Sequence, residues 1–245
     1  MKAMILAAGL GTRLKPWTLT HPKALVPVGG VPMLKRVILR LKDEGFDRIV
    51  VNVHHFAGQV KEFLSANDFG VEIHVSDESG QLLDTGGGIL NASPLLCADA
   101  EPFLVHNVDI LSDAPLRRLM EMHANDRGVA TLLVSEREST RKLVIDSEGV
   151  LCGWHNPATD EWKPKDFAAS PDMKEVAFSG IYVMAAEALE LMRQEGFSEA
   201  FPVMDFFLRN AGNGAVRTLE CRELNLIDIG KPGSLSRANA LFGCQ

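Results

Sequence analysis

The chain has 245 residues, 46% of them hydrophobic, so it can bury a full core in one large domain or two small ones. Its formal net charge of −7 argues against nucleic acid or an anionic membrane surface as its main partner. Four cysteines, Cys97, Cys152, Cys221 and Cys244, form no C-x-x-C pair, and no signal peptide or membrane-spanning stretch is visible, so we expect reduced thiols in a cytoplasmic protein.

The first 28 residues combine an apolar run with a glycine turn and two cations. Residues Ala3–Ala8 are too few for a helix and suit a buried strand. Gly9 and Gly11 allow a tight turn whose backbone N–H groups form a concave anion site. Arg13 adds a bidentate phosphate donor, and Lys23 adds a compact point charge. The segment is equipped to hold a polyphosphate, although it completes neither the dinucleotide-binding pattern nor the P-loop pattern.

Helices and strands alternate over the next segment. Apolar periodicity predicts a helix over 33–44, a strand over 48–53, a helix over 57–66 and a strand over 71–75. Such alternation indicates an α/β fold with a mostly parallel sheet and helices on both faces. Ligands of such sheets bind at the carboxyl ends of the strands, which is where the glycine turn lies.

A glycine triplet, Gly86–Gly88, precedes a predicted helix over 89–96. Three glycines would let a flat group lie against bare backbone, and a flexible loop before the helix is the alternative. Gln81, a few residues earlier, could present both a donor and an acceptor to a base.

Two aspartates stand in apolar surroundings. Asp109 closes a predicted strand over 102–108, and Asp228 lies between two isoleucines. Each must find a cation, a donor or water, because burying an unpaired carboxylate is costly. A third acid, Asp113, precedes a predicted helix over 116–125 and suits its start.

The remaining sequence continues the alternation. Strands are predicted over 129–135, 143–146, 176–184 and 215–220, and helices over 186–194, 203–210 and 233–241, the last started by Lys231 and Pro232. The strand over 176–184 is interrupted by Ser179 and Gly180, which predicts a bulge or the close approach of a ligand.

The string AAGLGTRLKPWTLTHPKALVPVGGVPML closely resembles the signature of the sugar-1-phosphate nucleotidyltransferases, and the resemblance extends along the chain. It implies the nucleotide-diphospho-sugar transferase fold, a Rossmann-like mixed sheet in a single domain over 1–245, with a smaller α+β lobe over about 135–178. It also implies that the protein, a monomer or homo-oligomer, joins a nucleoside triphosphate (NTP) to a sugar 1-phosphate with the help of Mg²⁺.

The resemblance assigns roles to individual residues. It implies that Arg13, Lys23 and Asp109 are catalytic and that Asp109 and Asp228 bind the metal. The implied nucleotide contacts are Ala7, Ala8, Gly9, Gly11, Thr12, Arg13, Lys23, Gln81, Thr85, Gly86 and Gly87, and the implied sugar contacts are Asn107, Arg141, Ser179 and Gly180.

The chain departs from the family pattern in two places. Val108 stands where relatives carry a glycine before the metal-binding aspartate. Many relatives also carry a Glu-Lys-Pro whose lysine binds the sugar phosphate, and here His155-Asn156-Pro157 takes its place. Arg141, Lys163 and Lys165 are all candidates to substitute for that lysine.

The sequence leaves the substrates open. The L-x-T-G-G-G-I form resembles a branch of N-acetylmuramate-1-phosphate uridylyltransferases and small guanylyltransferase-like enzymes, so we favour UTP. GTP with mannose or heptose 1-phosphate is the first alternative, and a phosphocholine-type cytidylyltransferase is another. A non-catalytic regulatory protein that binds a nucleotide-sugar would be expected to have lost an aspartate or Arg13, and neither is lost.

Overall fold

The computed structural model describes residues 1–126, 128–230 and 232–242. Lys231, at the predicted start of the last helix, and Cys244 lie outside these ranges.

The described residues form fourteen strands and eight α-helices. The strands are β1 (Lys2–Leu6), β2 (Pro27–Val28), β3 (Val31–Pro32), β4 (Arg48–Val53), β5 (Glu72–Asp77), β6 (Phe103–Asn107), β7 (Ile110–Ser112), β8 (Ala130–Ser135), β9 (Lys142–Ile145), β10 (Leu151–Asn156), β11 (Glu161–Lys163), β12 (Lys174–Met184), β13 (Val216–Glu220) and β14 (Leu226–Asp228). The helices are α1 (Met33–Asp43), α2 (Ala57–Ser65), α3 (Asp84–Asn91), α4 (Ser93–Leu96), α5 (Leu116–Asp126), α6 (Glu187–Gln194), α7 (Val203–Arg209) and α8 (Pro232–Phe242).

The central sheet has a parallel half and a mostly antiparallel half. In the first half β5, β4, β1 and β6 lie side by side and parallel. The long strand β12 then pairs antiparallel with β6, β8 and β9, while β13 runs parallel to β8. The predicted mixed α/β sheet flanked by helices is therefore confirmed. The segment over 135–178 contributes β9, β10 and β11, which extend this same sheet at one edge.

Both faces of the sheet are covered because successive residues of a strand point to opposite sides. In β1, Ala3 and Ile5 pack with α1, α2 and α5, whereas Met4 packs with α3, α4, α6 and α7. None of the helices that the structure describes combines the length and hydropathy that crossing a bilayer requires.

A smaller apolar cluster ties the two ends of the chain together. Leu14 and Val26, from the segment that contains the glycine turn, pack with Ile227 and Ile229, which flank Asp228. Ala238 of α8 completes this contact. Because the isoleucines are anchored in the cluster, the chain near residue 13 is held against the chain near residue 228.

One local prediction needs correction. The helix predicted over 89–96 begins earlier, at Asp84, so the glycine triplet lies inside α3. The Asp113 carboxylate accepts hydrogen bonds from the backbone N (3.0 Å) and Nδ2 (2.6 Å) of Asn225, which joins the start of α5 to the chain before β14. Among the described residues, Cys97, Cys152 and Cys221 are free thiols.

Candidate active site

The glycine turn after β1 is closed by its own backbone. Gly11 has φ +63°, and its carbonyl oxygen accepts from Leu14 N at 2.9 Å and from Thr18 Oγ1 at 3.0 Å. A Cβ at Gly11 would lie 2.8 Å from Thr18 Cγ2 and 2.9 Å from Lys23 Cβ. Backbone conformation and crowding together require glycine here. The turn delivers Arg13, which is exposed, toward the carboxyl end of the sheet.

A buried polar chain fixes the end of β1 beneath this turn. Asn52, 2% exposed at the end of β4, accepts from Ala7 N through Oδ1 and donates to Glu78 Oε1 through Nδ2, both at 2.7 Å. Burial raises the pKa of the Glu78 carboxyl, against the opposing effect of the Asn52 hydrogen bond. The backbone where β1 becomes the turn is thus held by a side chain from the neighbouring strand.

The two predicted metal ligands are brought to one point. A Cβ at Gly230 would lie 2.8 Å from Asp228 Oδ1, 3.2 Å from Asp109 Oδ2 and 3.0 Å from Arg13 Nη2. Ile229 N donates to Asp109 O at 2.9 Å, so the backbone of one aspartate holds the chain beside the other. Both carboxylates and the Arg13 guanidinium therefore face the same small space.

The charges in this space are partly paired. Lys23 and Asp109 form an ion pair, with side chains only 13% and 14% exposed. Asp228 Oδ1 accepts from Gly230 N at 2.8 Å. Because both charges are little exposed to water, loss of either would leave the other unpaired, and the pair keeps the Asp109 carboxylate in place for a ligand.

The donor set fits Mg²⁺. This ion takes oxygen ligands, keeps several waters, and is commonly held by one or two carboxylates together with substrate phosphates. Asp109 and Asp228 supply two carboxylates next to an arginine suited to phosphate. Within the described ranges no three or more His, Cys, Asp or Glu side chains cluster as a metal site would need, so a site built wholly from protein is not present there.

Two cavities meet at Asn107 and Asp109. The first, the loop cavity, has a volume of about 320 Å³ and lies between the glycine turn and the start of α3. It is lined by Leu6, Ala8, Gly9, Lys23, Asn52, Leu82, Asp84, Thr85, Asn107, Val108 and Asp109. Five of the predicted nucleotide contacts and catalytic residues, Ala8, Gly9, Lys23, Thr85 and Asp109, are brought together here.

The second, the bulge cavity, is larger and more polar, about 1120 Å³. It is lined by Arg13, Asn107, Asp109, Ile110, Arg137, Glu138, Ser139, Thr140, Arg141, Pro157, Ala158, Phe178, Ser179, Gly180 and Asp228. All four predicted sugar contacts belong to it. The predicted bulge is confirmed, since the pairing of β12 with β8 shifts register between Phe178 and Tyr182.

The glycine triplet allows close packing of α3, whereas the sequence suggested a bare backbone surface for a flat group. A Cβ at Gly86 would lie 2.2 Å from Phe201 Cε2, and one at Gly87 would lie 2.0 Å from Glu199 O. Gly86 N donates to Phe201 O at 2.8 Å. These glycines are buried, so they let α3 pack against 199–201 instead of forming a bare backbone surface.

Six predicted nucleotide contacts, Ala7, Gly11, Thr12, Gln81, Gly86 and Gly87, do not line either cavity. Gln81 is exposed in the turn before α3. Their contact with a nucleotide stays a prediction. The sequence did not single out Asn52 and Arg137, which line the cavities, or Glu78, which accepts from Asn52. A single polar residue in the apolar run 49–53 could have indicated Asn52, whereas Arg137 is one of many charges in its stretch.

Comparison of the sequence with family models gives a match to the nucleotidyl transferase family over residues 2–242. The N-acetylmuramate alpha-1-phosphate uridylyltransferase of Neisseria meningitidis is 31% identical over 248 residues, covering 99% of both proteins. The mannose-1-phosphate guanylyltransferase catalytic subunit beta of Drosophila pseudoobscura is 31% identical over 211 residues. That alignment covers 83% of this chain and 54% of the relative, so the chain spans about half the length of this longer protein.

Among solved structures, HddC from Yersinia pseudotuberculosis superposes with a TM-score of 0.78 at 23% identity. The superposition covers 98% of this chain and 99% of that one. At this identity the likeness concerns the fold, and it extends over the parallel half, β12 and the strands beside it.

Proposed function

The chain belongs to the nucleotidyl transferase family, and on that premise we propose that it joins a nucleoside triphosphate to a sugar 1-phosphate and releases pyrophosphate. One observation carries the proposal. Two carboxylates and an arginine face one point where a cavity beside a glycine turn meets a larger polar cavity. The first cavity suits a nucleotide and the second suits a sugar, with the reacting phosphates between them.

The proposed reaction is a displacement at the α-phosphorus of the NTP. An oxygen of the sugar 1-phosphate attacks that phosphorus, a new P–O bond forms, and the bond to the bridging oxygen of the β-phosphate breaks. Pyrophosphate leaves with the electron pair of the broken bond. Such chemistry depends on positioning and charge neutralisation more than on covalent help from the protein.

Each charged residue has a part in this proposal. Arg13 binds the β- and γ-phosphates and stabilises the charge that pyrophosphate gathers as it leaves. Lys23 neutralises charge at the α-phosphate, and its ion pair holds Asp109 in place. Asp109 and Asp228 would hold Mg²⁺, which when bound offsets phosphate charge and aligns the reacting groups.

For the nucleotide we favour UTP. The L-x-T-G-G-G-I form of the chain supports this choice, as does a uridylyltransferase relative that matches over 99% of both lengths. GTP with mannose or heptose 1-phosphate is the second candidate, since the guanylyltransferase relative is equally identical over a shorter alignment.

Pyrophosphate release across a matrix of substrates tests both parts of the proposal. UTP, GTP, CTP and dTTP are each paired with a panel of sugar 1-phosphates that includes N-acetylmuramate, mannose and glucose 1-phosphates. We expect release that depends on both substrates, with the highest kcat/KM for UTP. A preference for GTP would refute the choice of base alone. No release with any pair would refute the reaction and favour a non-catalytic binding protein.

A further inference from the structure

We propose that Arg137 binds the phosphate of the sugar 1-phosphate and takes the place of the lysine missing from residues 155–157. This inference rests on the proposed function, since it names the cation of that same site. It differs from the sequence candidates, which were Arg141, Lys163 and Lys165.

Arg137 is held at the wall of the bulge cavity by contacts on both sides. It lies two residues after the end of β8, and its Nη2 donates to Phe178 O at 2.6 Å, next to the bulge in β12. Its own carbonyl oxygen accepts from Lys142 Nζ at 2.7 Å, which fixes the backbone beneath the side chain. The guanidinium is therefore anchored before any ligand arrives, so little conformational entropy is lost on binding.

The anchored guanidinium is half-buried, and one of its donors has no partner within the described ranges. Nε is buried and lacks a hydrogen-bond partner among the residues that the structure describes. Leaving a buried donor unpaired is costly, and more so when the group is charged. Burial also lowers the pKa of Arg137, an effect that the negative charge of Asp228 opposes. Arg137 lines the bulge cavity together with Asp228, so an anion bound there would offset the charge of the half-buried guanidinium beside a predicted metal ligand.

The sequence candidates are placed less well. Lys163 Nζ lies over the Trp154 ring, 5.4 Å from its centroid, and neither Lys163 nor Lys165 lines the bulge cavity. Arg141 does line the cavity, but its side chain is exposed. Asn156, in the place of the lysine itself, carries no charge, and its neighbour His155 is stacked on Trp162 and bound to Glu175 Oε1 at 2.5 Å. Arg137 is half-buried at the wall of the bulge cavity, whereas Arg141, Lys163 and Lys165 are exposed.

The test compares Arg137→Met and Arg137→Lys with the wild-type protein in steady-state kinetics. The substrates are the NTP and the sugar 1-phosphate that give the wild type its highest kcat/KM in the pyrophosphate-release matrix. Removing a charge-assisted phosphate contact should raise the KM for the sugar 1-phosphate about tenfold to a hundredfold in Arg137→Met. The KM for the NTP should change less than twofold, and Arg137→Lys should recover part of the loss.

A matched control separates binding from folding. Arg40 Nη2 also donates to a carbonyl oxygen, Ala114 O at 2.7 Å, but Arg40 lies outside both cavities. Arg40→Met should leave both KM values unchanged. If Arg137→Met instead keeps the wild-type KM for the sugar 1-phosphate, or raises both KM values equally while lowering the melting temperature, the inference is wrong and the proposed function still stands. If the wild type releases pyrophosphate with no pair in the full substrate matrix, both are overturned.

Discussion

The carboxylate oxygens of Asp109 and Asp228 are the atoms on which the proposed chemistry depends most. We expect Asp109→Asn and Asp228→Asn each to lower kcat by at least about a hundredfold at saturating Mg²⁺, because each removes a metal carboxylate and almost no volume. Pyrophosphate release measures the rate, and circular dichroism checks the fold.

Asp113→Asn is the control for these two variants, since that carboxylate binds Asn225 and lies outside both cavities. It should keep the wild-type rate. A near-normal rate in either of the other two variants at saturating Mg²⁺ would mean that the aspartate in question is not a metal ligand.

The proposed role of Arg13, binding of the leaving pyrophosphate, leads to a prediction of a different kind. Arg13→Ala should lower kcat by about a hundredfold to a thousandfold, equivalent to roughly 3–4 kcal/mol of barrier, with a smaller change in the KM for the sugar 1-phosphate. Lys15→Ala removes an exposed cation from the same loop and should have little effect. A loss of tenfold or less in Arg13→Ala would assign Arg13 a structural role.

At the scale of helices and strands, α3 carries a prediction about packing. A Cβ at Gly87 would lie 2.0 Å from the backbone oxygen of Glu199, which cannot turn aside as a side chain can. Gly87→Ala should therefore lower the free energy of unfolding by about 1–3 kcal/mol, as overpacking does. Gly80→Ala, with no atom within 4 Å of the added Cβ, is the control. Urea unfolding of both variants decides the matter, and equal stability would contradict the packing role.

The buried hydrogen bonds that join Ala7 N to Asn52 and Asn52 to Glu78 lead to a prediction about pH. The folded-state pKa of Glu78 is raised by burial, so the folded protein binds this proton more readily than the unfolded chain does. The contribution of Glu78 to stability therefore falls as the pH rises from the unfolded-state pKa through the folded-state pKa. His54 and Asp77, the charged neighbours, act in opposite directions on this pKa.

Glu78→Gln keeps an acceptor for Asn52 without the buried charge. We expect its melting temperature at pH 7 to equal or exceed that of the wild type, and the difference to narrow as the pH is lowered toward about 4.5. Thermal melts across this pH range are the measurement. A variant that is less stable than the wild type at pH 7, with a gap that widens on raising the pH, would show that the charge of Glu78 is needed.

Most elements could be predicted from the sequence because their apolar periodicity is strong. The helix α1 and the strand β4 were located to within a residue, since each has one buried pattern and a clear stop. The start of α3 was missed because glycine has a low helix propensity, and only the close approach of 199–201 explains three glycines in a helix. Such an approach joins segments more than a hundred residues apart, so no local pattern reports it.

The same limit applies to the candidate site. The glycine turn, Arg13 and the two aspartates were found through a motif, because their residue types are tied to phosphate and metal chemistry. Arg137 was missed because it shares its stretch with Glu136, Glu138 and Arg141, and nothing local singles it out. Arg137 differs from these neighbours because it is half-buried and donates to Phe178 O, on a strand more than thirty-five residues away.

At the scale of the whole molecule, the site joins segments from both ends of the chain. The cluster of Leu14, Val26, Ile227 and Ile229 holds the two ends together, and Ile229 N donates to Asp109 O between them. A ligand that binds Arg13, Asp109 and Asp228 at once would therefore cross-link the fold. Because it binds the folded state only, it should stabilise the whole protein by mass action.

This linkage gives a prediction that needs no sugar. With Mg²⁺ present and UTP at about a hundred times its Kd, the expected stabilisation is about 2.7 kcal/mol, which for a chain of this length raises the melting temperature by roughly 5–10 °C. GTP at the same concentration should raise the melting temperature by less. Adding EDTA should remove most of the rise in melting temperature caused by UTP, because without Mg²⁺ the two carboxylates repel the nucleotide phosphates. In the double variant Asp109→Asn/Asp228→Asn, the rise caused by UTP should not depend on Mg²⁺. Thermal melts of the wild type and the double variant provide the comparison. A UTP shift that is equally large with and without EDTA in the wild type would mean that the two aspartates do not bind the nucleotide through a metal ion.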